Sequence, residues 1–205
     1  MGRVCFISYK NEDAGYKNAL KRILEDEGIR YYVIEDRIDS RDSEYVIRYI
    51  REHGIQDSTV TLFLIGENSS ELEGYDFDGF DKNYYIQREL QASLYNGDNN
   101  SRSGILGIVL PSMESAIFGG SHLCKECGLM HRTVRINDKT VIREFSENYY
   151  MDGHTKECCW AEDERYCVLV RWSDFVDDPE MWIEEAFKKR SEPIAKEVVV
   201  RPTRD

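Results

Sequence analysis

Two short runs, STVTLFLIG at residues 58–66 and GILGIVLP at residues 104–111, are apolar at nearly every position instead of every second one. A strand with one wet face alternates apolar and polar side chains. A strand without alternation is covered on both faces, the condition of a parallel sheet held between helices. RVCFISY (3–9), IRYYVIE (29–35) and YCVLVRW (166–172) read as three more strands. Segments with helical spacing separate them. Tyr16, Leu20, Ile23 and Leu24 follow that spacing and Gly28 supplies a stop. Asp42-Ser43 can cap a helix that carries Val46, Ile47 and Ile50 and closes at Gly54. Ile86, Leu90 and Leu94 form a stripe at i, i+4, i+8, and Asp178-Pro179 opens a last helix with Trp182, Ile183, Ala186 and Phe187 on its inner face. The alternation predicts an α/β fold: about five mostly parallel strands, helices on both faces, and ligands at the strands' carboxyl ends.

Residues 112–165 break the rhythm. They hold four of the six cysteines and three of the four histidines, without sustained periodicity. They read as an irregular Cys/His-rich insertion in a single domain spanning 1–193, with 194–205 as an unassigned tail. Cys124-x-x-Cys127 has the knuckle spacing that lets two thiolates share one zinc, and His154, Cys158 or Cys159 offer a second half. His122 and His131 are further candidates. A structural zinc stapling the insertion stands against free thiols as the alternative. Cys5 and Cys167 lie inside strands and read as core filling.

Charge narrows the function. Lys and Arg total 27 against 39 Asp and Glu, a net charge of −12. Such a surface repels phosphate backbones and anionic lipid, so neither nucleic acid nor membrane is an expected partner. No run approaches the length of a membrane span, and MGRVCFISYK enters a strand directly, with Phe6 where a myristoylation signal needs Ser or Thr. A soluble, cytoplasmic protein is expected. Several α/β chemistries are excluded by their motifs: G-x-G-x-x-G, the P-loop and G-x-S-x-G are all absent, and the third strand ends LIGEN without a phosphoacceptor Asp.

The strand-end loops are polar. Ser8, Tyr9, Lys10, Asn11 and Asp13 follow the first strand, and Asp36, Arg37, Asp39 and Asp42 follow the second. That set suits a polyhydroxylated ligand with a charged part. In YYIQRELQASL (84–94), Glu89 lies about 60° around the helix from Ile86. That position is the edge of the buried stripe, with Tyr85 one turn earlier. A half-desolvated carboxylate there points along the carboxyl edge of the sheet.

Taken in order, VCFISYKNED, EDRIDSRDS, STVTLFLIG, YYIQREL and GILGIVLP resemble the TIR-like family that includes the ThsB proteins of bacterial Thoeris anti-phage defence. The resemblance covers residues 3–111, and the late YCVLVRWSDF…WIEEAFKKR is similar to the family's ending. It implies a flavodoxin-like TIR fold and a hydrolase that consumes NAD+ at the nicotinamide–ribose bond. It further implies a cyclic or conjugated ADP-ribose signal, a separate effector activated by it, a phage-derived trigger and assembly into homo-oligomers. TIR enzymes carry W-x-x-x-E on this helix; here Tyr85 stands in place of Trp and Glu89 is retained. The resemblance makes Glu89 catalytic, Tyr85 an aromatic wall, and Phe6, Ser8, Tyr9, Asp36, Arg37, Asp39 and Asp42 the lining of the NAD+ site. A non-catalytic TIR-like interaction module is the alternative from another class, and a zinc-dependent enzyme housed in the insertion is a third.

Overall fold

The computed structural model describes residues 2–35, 38, 40, 42–75, 82–97, 100–151 and 158–200. In chain order these form β1 (Val4–Ser8), α1 (Ala14–Asp26), β2 (Arg30–Val33), α2 (Ser43–Ile50), β3 (Val60–Ile65), α3 (Tyr84–Leu94), β4 (Gly104–Val109), α4 (Glu114–Ile117), β5 (Phe118–Leu123), β6 (Met130–Val134), α5 (Arg143–Tyr149), β7 (Val168–Arg171), α6 (Trp172–Asp177) and α7 (Pro179–Lys188). Five of the strands pair in parallel, in the order β2-β1-β3-β4-β7. This is the flavodoxin-like doubly wound order, whose direction of winding reverses between β1 and β3 and opens a crevice at their carboxyl ends.

Every residue of β1, β3 and β4 is buried, which accounts for their unbroken apolar runs. The period of two then divides them between layers. Ile7, Leu62, Leu64, Leu106 and Ile108 meet Leu20 and Leu24 of α1, Phe175 of α6, and Ile183 and Ala186 of α7. On the opposite face Phe63, Ile65, Ile105 and Val109 meet Ile86, Leu90 and Leu94 of α3 and Phe145 of α5. Phe6 lies under α2, with Val46, Ile47 and Ile50. Cys5 and Cys167 are core filling, as expected. The expected caps form: Asp42 Oδ1 accepts from Glu44 and Tyr45 N–H at 3.0 and 3.2 Å, and Asp178 Oδ1 from Met181 N–H at 3.0 Å.

Three segments differ from the sequence reading. The α2 helix does not close at Gly54; the chain continues through a wide π turn, Arg51–Ile55, with Gly54 buried inside it. A side chain at Gly54 would press on the Phe6 ring, so the missing Cβ lets this turn settle on the sheet. Residues 112–165 are more regular than their lack of periodicity implied, holding α4, the antiparallel β5–β6 hairpin and α5. They add Met113, Ile117, Ile136, Val141, Ile142, Phe145, Tyr149 and Met151 to the core. The α5 helix has seven residues, shorter than the window in which a 3.6-residue period declares itself. The start of the tail is also docked. Ile194, Ala195, Val198 and Val200 pack against the same cluster, and Asn148 of α5 exchanges two hydrogen bonds with the Val199 backbone at 2.9 and 3.0 Å.

Both layers come so close to β4 that side chains are excluded there. A Cβ at Gly104 would overlap the Ala186 carbonyl of α7, and one at Gly107 would meet the Phe145 ring of α5. Gly104→Ala therefore has to move backbone, and is expected to lower the urea-unfolding free energy by about 1–3 kcal/mol. Gly15→Ala on α1, where the added methyl has open space, is expected to leave it equal or higher.

Candidate functional site

A cleft of ≈ 380 Å³ opens where β1 and β2 end and α3 begins. Tyr9, Lys10, Ile38, Ile50, Tyr85 and Glu89 form most of its wall. Among the described residues, Glu89 is the one carboxyl group in it that is deeply buried, at 8% exposure. Ser8 at the end of β1 donates its hydroxyl to Glu89 Oε2 at 2.6 Å. Burial pushes Glu89 up to about 8, against the smaller downward pull of the Ser8 hydrogen bond. The group therefore holds its proton at neutral pH and releases it near pH 8.

The helix position alone placed Glu89 at a half-wet border. Its deeper burial comes from the neighbours of α3, which packs against β1 and β4 and also against α2 and α5. Other polar groups on α3 are buried with it and find partners along the helix flanks. Arg88 donates to Gln91 Oε1 at 2.9 Å and Ser43 Oγ at 3.1 Å, and Gln91 donates to Glu144 Oε1 at 2.8 Å. Ser93 pairs with Thr61 at 2.7 Å and donates to the Glu89 carbonyl at 2.8 Å. These bonds hold the α3 backbone in place while the Glu89 carboxyl faces the cleft.

The walls are cross-tied. Tyr85 donates its hydroxyl to the Ile38 carbonyl at 2.6 Å, and its ring meets Tyr84 edge-on at 5.3 Å. Lys10 is buried, and its ammonium donates to the Lys82 carbonyl at 2.6 Å and to Asn83 Oδ1 at 3.1 Å, pinning the start of α3 to the end of β1. At the rim, Lys17 and Lys21 reach Glu35 at 2.9 and 3.2 Å and hold its carboxylate below the usual range. Asp13 packs its carboxylate against Gly66, and burial pushes it up to about 6.

Of the residues singled out from sequence, Tyr9, Tyr85 and Glu89 line the cleft and Ser8 stands behind Glu89. Phe6 does not line it: its ring is fully buried beneath α2, where it supports the floor. Asp42 is taken up in capping α2, because the first free N–H groups of that helix need an acceptor. Asp36, Arg37 and Asp39 lie outside the described residues. Sequence reasoning passed over Ile34, Ile38 and Ile50. Ile38 carried a signal, as a lone apolar residue in a charged loop (DRIDS).

A second space, of ≈ 820 Å³, runs along the outer edge of β7 beside the β5–β6 hairpin. Two of its arginines are already engaged: Arg171 with Glu114 at 3.4 Å, and Arg165 with the Tyr149 hydroxyl at 2.7 Å and the Trp160 carbonyl at 2.9 Å. It is a groove under an open strand edge, without the converging acid and hydroxyl of the smaller cleft. At the hairpin tip, the ligating atoms of Cys124, Cys127 and His131 and that of Cys158 from a later segment lie within 4.8 Å of one another, a group that could hold a metal ion. Cys159 and His122 are not members of this group, and His154 lies outside the described residues.

No protein-family model matches the sequence, and no solved structure matches the chain.

The raised Glu89 has a consequence for stability. Its value in the folded protein, about 8, lies above the ordinary 4.5. Its contribution is therefore complete below pH 4.5 and is lost as the pH rises through about 8. Glu89→Gln keeps an acceptor for Ser8 and carries no charge. Its unfolding free energy is expected to gain on that of the wild type by an amount that grows between about pH 5 and about pH 8.5, on the order of 4 kcal/mol at the upper end. Thermal melts at both pH values check this, and a pH-independent margin would contradict the buried titration.

Proposed function

We propose that this protein is an NAD+-consuming enzyme of the TIR-like type that breaks the nicotinamide–ribose bond, with Glu89 as its catalytic carboxylate. The observation that carries the reading is one buried carboxyl group, held by Ser8 at 2.6 Å and facing a cleft at the carboxyl edge of a doubly wound sheet. The resemblance of YYIQREL to the W-x-x-x-E helix of TIR enzymes points to the same residue.

The chemistry asks for such a group. As the C–N bond breaks, its electron pair passes to the pyridinium nitrogen, nicotinamide leaves neutral, and positive charge spreads over the ribose C1 and ring oxygen. An adjacent carboxylate stabilises that oxocarbenium-like state, and does so more strongly in a desolvated site than in water. The cationic nicotinamide ring favours the ionised form of Glu89 when it enters, offsetting the burial that keeps the empty site neutral. Tyr9 and Tyr85 offer aromatic faces for the bases. Capture of the ribosyl cation by water yields ADP-ribose and a proton; capture by a nucleophile of the same ligand or of another yields a cyclic or conjugated product. We place that product as a signal in bacterial anti-phage defence, acting on a separate effector after a phage-derived trigger.

Purified protein incubated with NAD+, with and without lysate of phage-infected cells, is expected to release nicotinamide and an ADP-ribose product detectable by mass spectrometry. Glu89→Gln is expected to slow this by about 10²-fold or more. Equal turnover in that variant removes Glu89 from the mechanism, and silence of the wild type under both conditions favours the non-catalytic interaction module. The pH profile gives a separate check. Since the reactive form is the carboxylate, kcat/KM is expected to rise with pH toward about 8, and Ser8→Ala, which deletes the bond pulling Glu89 down, is expected to move the midpoint to higher pH.

A further inference from the structure

The β5–β6 hairpin stands out as an element with too little core. The β5 residues from Gly119 to Leu123 are exposed, and at its tip Leu123, Leu129 and Met130 are 65%, 64% and 62% exposed. A two-stranded hairpin with no buried face is marginal in water. The tip is nonetheless folded into a tight turn. Cys124 N–H donates to the Leu129 carbonyl at 2.8 Å, Gly128 N–H donates to the Cys124 carbonyl at 3.0 Å, and Gly128 takes φ +70°. The N–H groups of Glu126 and Cys127 point at the Cys124 sulfur.

We propose that Cys124, Cys127, His131 and Cys158 bind one zinc ion, which fastens the hairpin to the body of the domain. An ideal tetrahedral zinc with three sulfur ligands and one nitrogen ligand sets those atoms roughly 3.6–3.8 Å apart. Cys158 Sγ lies 3.7 Å and Cys127 Sγ 3.0 Å from His131 Nε2, and all four ligating atoms lie within 4.8 Å. All six cysteines are free thiols, so no disulfide competes for these sulfurs. Three thiolates and an imidazole suit zinc and exclude the oxygen-seeking Mg²⁺ and Ca²⁺.

Four protein ligands fill the shell, so the ion is structural and no position is left for a reacting water. Three ligands lie on the hairpin; the fourth, Cys158, comes from the segment that anchors on the domain through Trp160. That indole donates to the Met151 carbonyl at 3.1 Å and packs on Tyr150 at 5.0 Å. Binding releases the thiol protons to solvent, so the site weakens as the pH falls.

Elemental analysis of the full-length protein, purified without chelator, is expected to find about one zinc per chain. Replacement by Co²⁺ is expected to produce the intense visible bands and thiolate charge-transfer absorption of a tetrahedral site. Cys124→Ser and Cys158→Ser are expected to lose the metal, while Cys159→Ser keeps it. Because a ligand variant can misfold, hydrogen exchange on the chelated wild type supplies a second readout: amides of residues 118–134 should lose protection while β3 and β4 keep theirs. The proposal is overturned if protein reconstituted with zinc and dialysed holds none, if cobalt gives an octahedral spectrum, or if Cys159→Ser loses as much metal as Cys158→Ser. Glu89→Gln should retain the zinc whether or not it turns over NAD+, so the outcome here is independent of the reaction proposed at the cleft.

Discussion

Burial of β3 and β4 on both faces is the constraint to which the other elements answer. Parallel strands in the middle of a sheet have no face to give to water, so each must be covered by a layer on either side. The α1, α6 and α7 helices form one layer, and α2, α3 and α5 the other. Close cover is made possible by two glycines in β4, one under each layer. Because α5 and the start of the tail are part of that cover, residues 112–151 and 194–200 are structural parts of the domain and not appendages to it.

The same packing produces the chemistry of the cleft. A helix covered by the sheet below and by helices on both flanks leaves no wet side for its polar residues. Arg88, Gln91 and Ser93 meet this by bonding to side chains on neighbouring elements. Glu89 meets it by keeping its proton, with one hydroxyl for company. A carboxyl group held neutral by its surroundings, yet open to a ligand, is poised to ionise when a cation arrives. That cost to the empty fold is the kind of local conflict that sites of chemistry retain.

Some of this could be read along the chain. Unbroken apolar runs announced buried parallel strands, and Asp42 and Asp178 announced two helix starts, because both signals depend on residues adjacent in sequence. Other features could not. Polar residues at a strand end look alike until the backbone decides which are consumed: Asp42 is spent on α2, while Ser8 is left for Glu89. Nor could local pattern foresee that Val199 would pair with Asn148; spacing offered Cys158 to the Cys124–Cys127 knuckle alongside Cys159 and His154, and the fold brings Cys158 into the group.

The sequence by itself determined the class of fold, the five strands of the parallel sheet with the helices between them outside residues 112–165, and the presence of one acid on the α3 stripe, since hydrophobic periodicity and capping act over a few residues. Only the tertiary structure decided how deeply that acid is buried, which strand-end groups reach it, and which thiols converge at the hairpin. Those outcomes are set by contacts between distant segments, and desolvation, unlike periodicity, is a property of everything that surrounds a group.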